Sequence, residues 1–150
     1  MVKPVPAVLG EVTISGRTVS IPWRFEEVYR RAATGFGHFI TAEQIQQLNP
    51  SGTRELLNGI PGIVVNNYEV VFPRCGRGPL NGPQLRMAAV PQVYIDSRRV
   101  TAFGGSVDAA LALVNPRSIQ AIEIYTGVSQ IPADFMTEAC AVVAIWTKKY

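Results

Sequence analysis

A chain of 150 residues, 47% hydrophobic and 17% charged, has the length and balance of one globular domain able to bury a core. Its longest apolar runs, AALALV and AVVAIW, fall far short of the roughly 18 to 20 residues of a membrane-spanning helix. The net charge of +3 comes from arginines scattered among acids, not from a concentrated basic stripe, so nucleic acid is not an expected partner.

The opening MVKPVPAVLGEV has one lysine followed by prolines, which is not the apolar core of a signal peptide; if the protein is exported, its signal lies outside this sequence. Residues 11–21, EVTISGRTVSI, alternate apolar and polar around Ser15-Gly16 and predict a β-hairpin. Trp23 to Ala33 predicts a helix, with Phe25, Val28 and Tyr29 on one face and acids preceding arginines; Gly35-Phe36-Gly37 ends it. HFI (38–40) is a short strand. Thr41 then opens a helix, with Gln44 placed to complete a capping box, and Asn49-Pro50 breaks it. A second short helix starts at Ser51, with Leu56, Leu57 and Ile60 apolar, and Pro61-Gly62 stops it ahead of the strand IVV (63–65). Asn66-Asn67 is a turn, YEVVF (68–72) a strand, and residues 73–89 a loop rich in Gly, Pro and Arg.

QVYI (92–95) predicts a strand, and Asp96-Ser97 a turn into RRVTAF. Ser106 caps the helix SVDAALALV, and Asn115-Pro116 begins one more turn with Ile119 facing inward. Two strands close the chain, AIEIY and AVVAIW, on either side of a loop. Strands interleaved with short helices give an α+β (mixed α/β) domain around a small mixed sheet, with VYI, AIEIY and AVVAIW adjacent.

Groups suited to chemistry are sparse. His38, the only histidine, lies at a helix-to-strand junction, which suits a structural or surface role. Cys75 and Cys140 are too far apart for a CxxC redox pair, and with one histidine they make a poor zinc set. They are either two free thiols or, outside the cytoplasm, a disulfide worth about 4 kcal/mol. GRGPLNG (76–82) reads as a loop rather than a phosphate cradle. Glu123 sits on an apolar strand with its side chain directed away from Ile122 and Ile124. Asp134 and Glu138 suit a solvated loop better than a cation site. Phe36, Phe39, Tyr68, Phe103, Phe135 and Tyr150 are candidate exposed aromatics. Phe135, in IPADFM, is open to two readings, a core anchor for its loop or a partner contact. No catalytic residue, metal ligand or cofactor is expected, so the chain reads as a non-enzyme.

The stretch SIQAIEIYTGVSQIPADFM…ACAVVAIWTKK resembles the C-terminal part of the plug domain of TonB-dependent outer-membrane receptors. The likeness rests on Ser118-Ile119, the strand around Glu123, Gly127, Phe135, Ala141 and the run from Val142 to Lys148. Upstream, RELLNGIPGIVV is similar to the family's helix-to-strand signature, and QVYIDSRRV stands at its central strand and turn. The turn departs from the family's usual Asp-Gly, because Asp96-Ser97 lacks the glycine that permits positive φ.

The resemblance implies a plug-like domain over residues 25–150, with residues 1–24 as an N-terminal extension. It implies a place in the periplasm or outer membrane of a Gram-negative-type envelope, and a disulfide between Cys75 and Cys140. In a receptor, such a domain occludes the pore and helps bind ligand. The expected ligand or partner loops are 73–89 and 128–138, with Arg74, Arg77, Arg86, Gln130, Phe135 and Met136. The expected partners are an outer-membrane β-barrel or a TonB-system component, together with an unidentified small ligand. A spanning barrel does not fit in the sequence, so an excised plug or a free-standing periplasmic binding module is expected. The competing expectation is a small envelope enzyme or ligand carrier, which would need His38 or Glu123 to meet a second polar group in a pocket.

Overall fold

The computed structural model describes residues 9–14, 17–67, 69–75, 90–100, 106–135 and 139–149, with side chains from residue 22 onward. It divides into two compact units, residues 1–36 and 37–150.

In the first unit β1 (Leu9–Ile14) and β2 (Arg17–Pro22) pair antiparallel, with Val12 opposite Val19. The expected hairpin is therefore present; its turn residues, Ser15 and Gly16, lie outside the described residues. A 3-10 turn, Trp23–Phe25, leads into α1 (Glu26–Ala33). Phe25, Val28 and Tyr29 are buried, as their helical spacing predicts, while Glu27 pairs with Arg30 on the exposed side.

The second unit is built on a five-stranded mixed sheet. Its strands are β3 (His38–Thr41), β6 (Pro91–Ile95), β7 (Arg98–Arg99), β8 (Ile119–Tyr125) and β9 (Ala141–Thr147). The spatial order is β3-β8-β9-β6-β7, so the three strands expected to be neighbours are neighbours. β9 is central, antiparallel to β8 and parallel to β6. A separate two-stranded pair joins β4 (Val64–Val65) to β5 (Val70–Val71), a shorter strand than YEVVF predicts; Tyr68 lies outside the described residues.

Every residue from Ala141 to Trp146 is buried, and β8 is buried throughout except Gln120. Strands covered on both faces lose the apolar-polar alternation and read as continuous apolar runs, which is why AVVAIW looks as it does. On one face Ile122, Ile124, Val143 and Ile145 join Ile40, Val93, Leu57 and Leu111 in the main core. The opposite face carries Ala121, Glu123, Tyr125, Val142, Ala144 and Trp146, all buried as well.

Helix ends are specified locally. α2 (Ala42–Leu48) has the expected capping box: the Gln44 amide donates to Thr41 Oγ1 at 3.2 Å, and the Thr41 amide donates to Gln44 Oε1 at 2.8 Å. Such a cap is worth about 1 kcal/mol. The second short helix is a 3-10 turn, Thr53–Leu57, whose Thr53 hydroxyl donates to the Val114 carbonyl at 2.6 Å. α3 (Val107–Leu111) is capped by Ser106, which accepts from the Ala109 amide at 3.0 Å. Asp108 of α3 accepts from the Val70 amide at 3.1 Å and faces Arg54 Nε at 3.4 Å, tying α3 to β5 and to the 3-10 turn.

The β6–β7 turn solves the missing-glycine problem another way. Asp96 and Ser97 both adopt positive φ, 49° and 71°, as a two-residue hairpin demands. The Asp96 carboxylate accepts from the Thr147 amide at 2.8 Å and the Thr147 hydroxyl at 2.6 Å. The Asp96 amide donates to the Ile145 carbonyl at 2.9 Å. Three hydrogen bonds to β9 thus hold a left-handed backbone that costs non-glycine residues about 1–2 kcal/mol each.

Candidate functional site

The described starts of the two loops expected to meet a ligand, residues 73–75 and 128–130, lie where β9 begins. Cys75 ends a 3-10 turn, Pro73–Cys75, and is bonded to Cys140 with a Cα–Cα distance of 5.2 Å. The amide of Cys140 also donates to the Val90 carbonyl at 3.4 Å, and Pro91 pairs with Ala141. Both flanks of segment 76–89 are therefore fastened to one residue, by a covalent bond on one side and by the start of a parallel ladder on the other.

Arg74 extends from this anchored turn across the backbone of Gly127. A side chain at 127 would put its Cβ 3.2 Å from an Arg74 guanidinium nitrogen, so glycine there lets the arginine lie close. Beyond it, a 3-10 turn, Val128–Gln130, folds back so that Gln130 Oε1 accepts from the Thr126 amide at 3.3 Å. Gly62, at φ +89°, abuts the Thr126 side chain, where a Cβ would lie 2.8 Å away. The turns at 61–62, 73–75 and 127–130 thus meet at one end of the sheet. Of the expected loop residues, the structure brings Arg74 and Gln130 to this end. Arg77, Arg86 and Met136 lie outside the described residues, as does Glu138.

Of the two readings open for Phe135, the structure bears out the core anchor and not the partner contact. Phe135 is 4% exposed, with its ring centroid 5.1 Å from Tyr94 and 6.2 Å from Tyr125. Two tyrosines on the second sheet face offer it a partly apolar surface, and such ring pairs add about 0.5–1.5 kcal/mol beyond burial. Phe135 anchors its loop from inside. Phe36, by contrast, is exposed and Phe39 half-buried.

Glu123 points away from Ile122 and Ile124 as expected, but into the protein. Its Oε1 accepts from the Tyr125 hydroxyl and its Oε2 from Trp146 Nε1, both at 2.7 Å. The only signal for this in the sequence was Tyr125, two residues along the same strand face; Trp146 becomes a partner only once β8 and β9 are in register. His38 lines an open cleft of about 410 Å³ with Gln44, Gln47, Leu48, Leu56 and Ile60, on the far side of β8 from β9. Among the described residues no three of His, Cys, Asp and Glu come together as a metal-ligand group.

The family model of the TonB-dependent receptor plug domain matches residues 31–133. The chain belongs to that family. The resemblance read from the two final strands and the α+β fold are both shown, and plug domains of this family sit within outer-membrane β-barrels and serve transport. No curated protein matches this plug domain. Among solved structures it is similar to a variant of the ferric enterobactin receptor of Pseudomonas aeruginosa, at 18% identity and a TM-score of 0.52. The alignment covers 79% of this chain and only 18% of that receptor chain. At that identity the likeness speaks for the fold. The disulfide implied by the family resemblance is present between Cys75 and Cys140.

Proposed function

We propose that the chain works as the plug of a TonB-dependent transport system. It occludes the pore of an outer-membrane β-barrel and contacts ligand through the loops at the Cys140 end of β9. A TonB-system component is its energising partner, residues 25–150 form the plug, and residues 1–24 are an extension of it. The role is binding and gating rather than catalysis, in an extracytoplasmic compartment where a disulfide persists.

The observation that carries the ligand role is the close approach of Arg74 to Gly127. It joins the two loops on which the sequence places Arg74, Arg77, Arg86, Gln130 and Met136, with Phe135 anchoring the second loop from inside. Three arginines and an amide suit an anionic ligand. The similar solved structure is a ferric enterobactin receptor, and an iron–catecholate chelate carries net negative charge, which makes it the natural probe.

Titration with ferric enterobactin, followed by tryptophan fluorescence, should show saturable binding. Arg74→Glu combined with Arg77→Glu should weaken it about tenfold or more. No saturable binding, or binding indifferent to both reversals, would overturn the ligand role while leaving family membership intact. The same loops would serve a free-standing periplasmic module. Cell fractionation separates the two settings: recovery with an outer-membrane barrel supports the plug, and release with periplasmic contents supports the module.

A further inference from the structure

The other end of β9 holds a cleft of different character. From Ala141 to Thr147 the strand spans about 20 Å at roughly 3.3 Å per residue, so this cleft is well separated from Arg74 and Gly127. It is open, about 840 Å³, and lies among the β6–β7 turn, the segment after α3 and the residues following β9. Arg98 and Lys149 bring two exposed cations to it, and Val100, Leu113 and Val114 give it an apolar wall. Leu113 is 70% exposed, so its side chain is open to an occupant of the cleft.

The lining of this cleft keeps a net positive charge, Arg98 and Lys149 against Asp96. The Asp96 carboxylate keeps its negative charge but is held by the amide and hydroxyl of Thr147. Arg99 and Arg117 add further positive charge on the same segments. The ion pairs between Glu27 and Arg30 and between Arg54 and Asp108 are made elsewhere and engage neither Arg98 nor Lys149. Cations facing one recess repel each other until an anion enters, so the recess is biased toward a negatively charged occupant. Its apolar wall asks for more than charge. An extended peptide places successive side chains on opposite faces, so it can offer a carboxylate to the cations and an apolar group to the wall. The flat surface of a lipid bilayer does not fill a recess.

We propose that this cleft binds an extended acidic segment of a partner protein, with a carboxylate between Arg98 and Lys149 and an apolar side chain against Leu113, Val100 and Val114. The test uses the full chain and a fluorescein-labelled peptide of alternating Glu and Val, read by fluorescence anisotropy, with phosphatidylglycerol vesicles as a second probe. Saturable peptide binding is expected. It should weaken about tenfold or more in a variant carrying Arg98→Glu and Lys149→Glu. Leu113→Asp should weaken it too, while Arg30→Glu in the other unit should leave it unchanged. The milder pair Arg98→Gln and Lys149→Gln, checked by circular dichroism, guards against misfolding and should show a smaller loss. Absence of saturable binding, an equal loss with Arg30→Glu, or tighter binding to the vesicles than to the peptide would each overturn the proposal. Ferric enterobactin binding at the opposite end should be unaffected by these variants, so this proposal and the ligand role fail separately.

Discussion

Glu123 is a carboxylate at 1% exposure whose two oxygens each accept a hydrogen bond from an aromatic side chain, Tyr125 and Trp146. A buried donor left without its acceptor costs about 1–3 kcal/mol, and Glu123→Ala would orphan both the tyrosine hydroxyl and the indole N–H. This substitution should therefore lower stability by about 3 kcal/mol or more in urea unfolding followed by tryptophan fluorescence. Glu123→Gln keeps one acceptor oxygen and the side-chain volume, so it should cost clearly less. Equal costs for the two would show that volume rather than hydrogen bonding holds this site. Glu55 shows the opposite case, an exposed acid. Hydrogen bonds from the Ser51 hydroxyl and then the Ser51 amide hold its carboxyl below the ordinary value of 4.5. A lowered folded-state value means the stabilisation is full above pH 4.5 and fades as pH falls through the lowered value. Ser51→Ala should accordingly lose stability at neutral pH and show a shallower fall below pH 4.5, read as denaturation midpoints against pH.

At the scale of elements, the disulfide and the β6–β9 ladder act on the same residue. Cys75 and Cys140 are 65 positions apart, and closing a loop of that size removes about 4 kcal/mol of unfolded-state freedom in the chain-entropy account. Reductant, or Cys75→Ser with Cys140→Ser, should lower stability by about 2–4 kcal/mol, and thiol titration of the native protein without reductant should find no free cysteine. Two reactive thiols in the oxidised protein would contradict the pairing. Ligand binding should suffer as well, because Arg74 is the residue immediately before Cys75 and its place over Gly127 depends on that anchor. The turn of Asp96 and Ser97 shows an element held by a distant partner, since its positive φ values are supported by Thr147 and Ile145 of β9.

At the scale of the molecule, β1 and β2 form a two-stranded sheet of their own, while the five-stranded sheet is assembled wholly from residues after 37. An isolated hairpin is marginal in water. A chain starting at Trp23 should therefore keep a cooperative urea transition and the Cys75–Cys140 bond; a broad transition would give the hairpin a part in holding the sheet. Much of this architecture was legible in the sequence, because β9 is an unbroken apolar run up to Trp146, β8 is apolar except for Gln120 and Glu123, and Thr41 with Gln44 signs the start of α2 by local chemistry. What was not legible depends on distant pairing. Nothing near Asp96 announces Thr147, nothing near Glu123 announces Trp146, and the choice between the two readings of Phe135 waits until Tyr94 and Tyr125 are brought beneath it. The candidate site shows the same division: its arginines can be read off the chain, but the meeting of Arg74 with Gly127 cannot. The central place of β9 also governs when the fold can form. It follows every other strand of the sheet in the chain, yet it lies between β8 and β6. Until residue 147 has been made, the β3–β8 pair and the β6–β7 hairpin have no strand to join them, and Asp96 has no Thr147 to hold its turn. The two pairings that close the sheet therefore come late, and the β6–β9 one is long-range, of the kind that forms slowly.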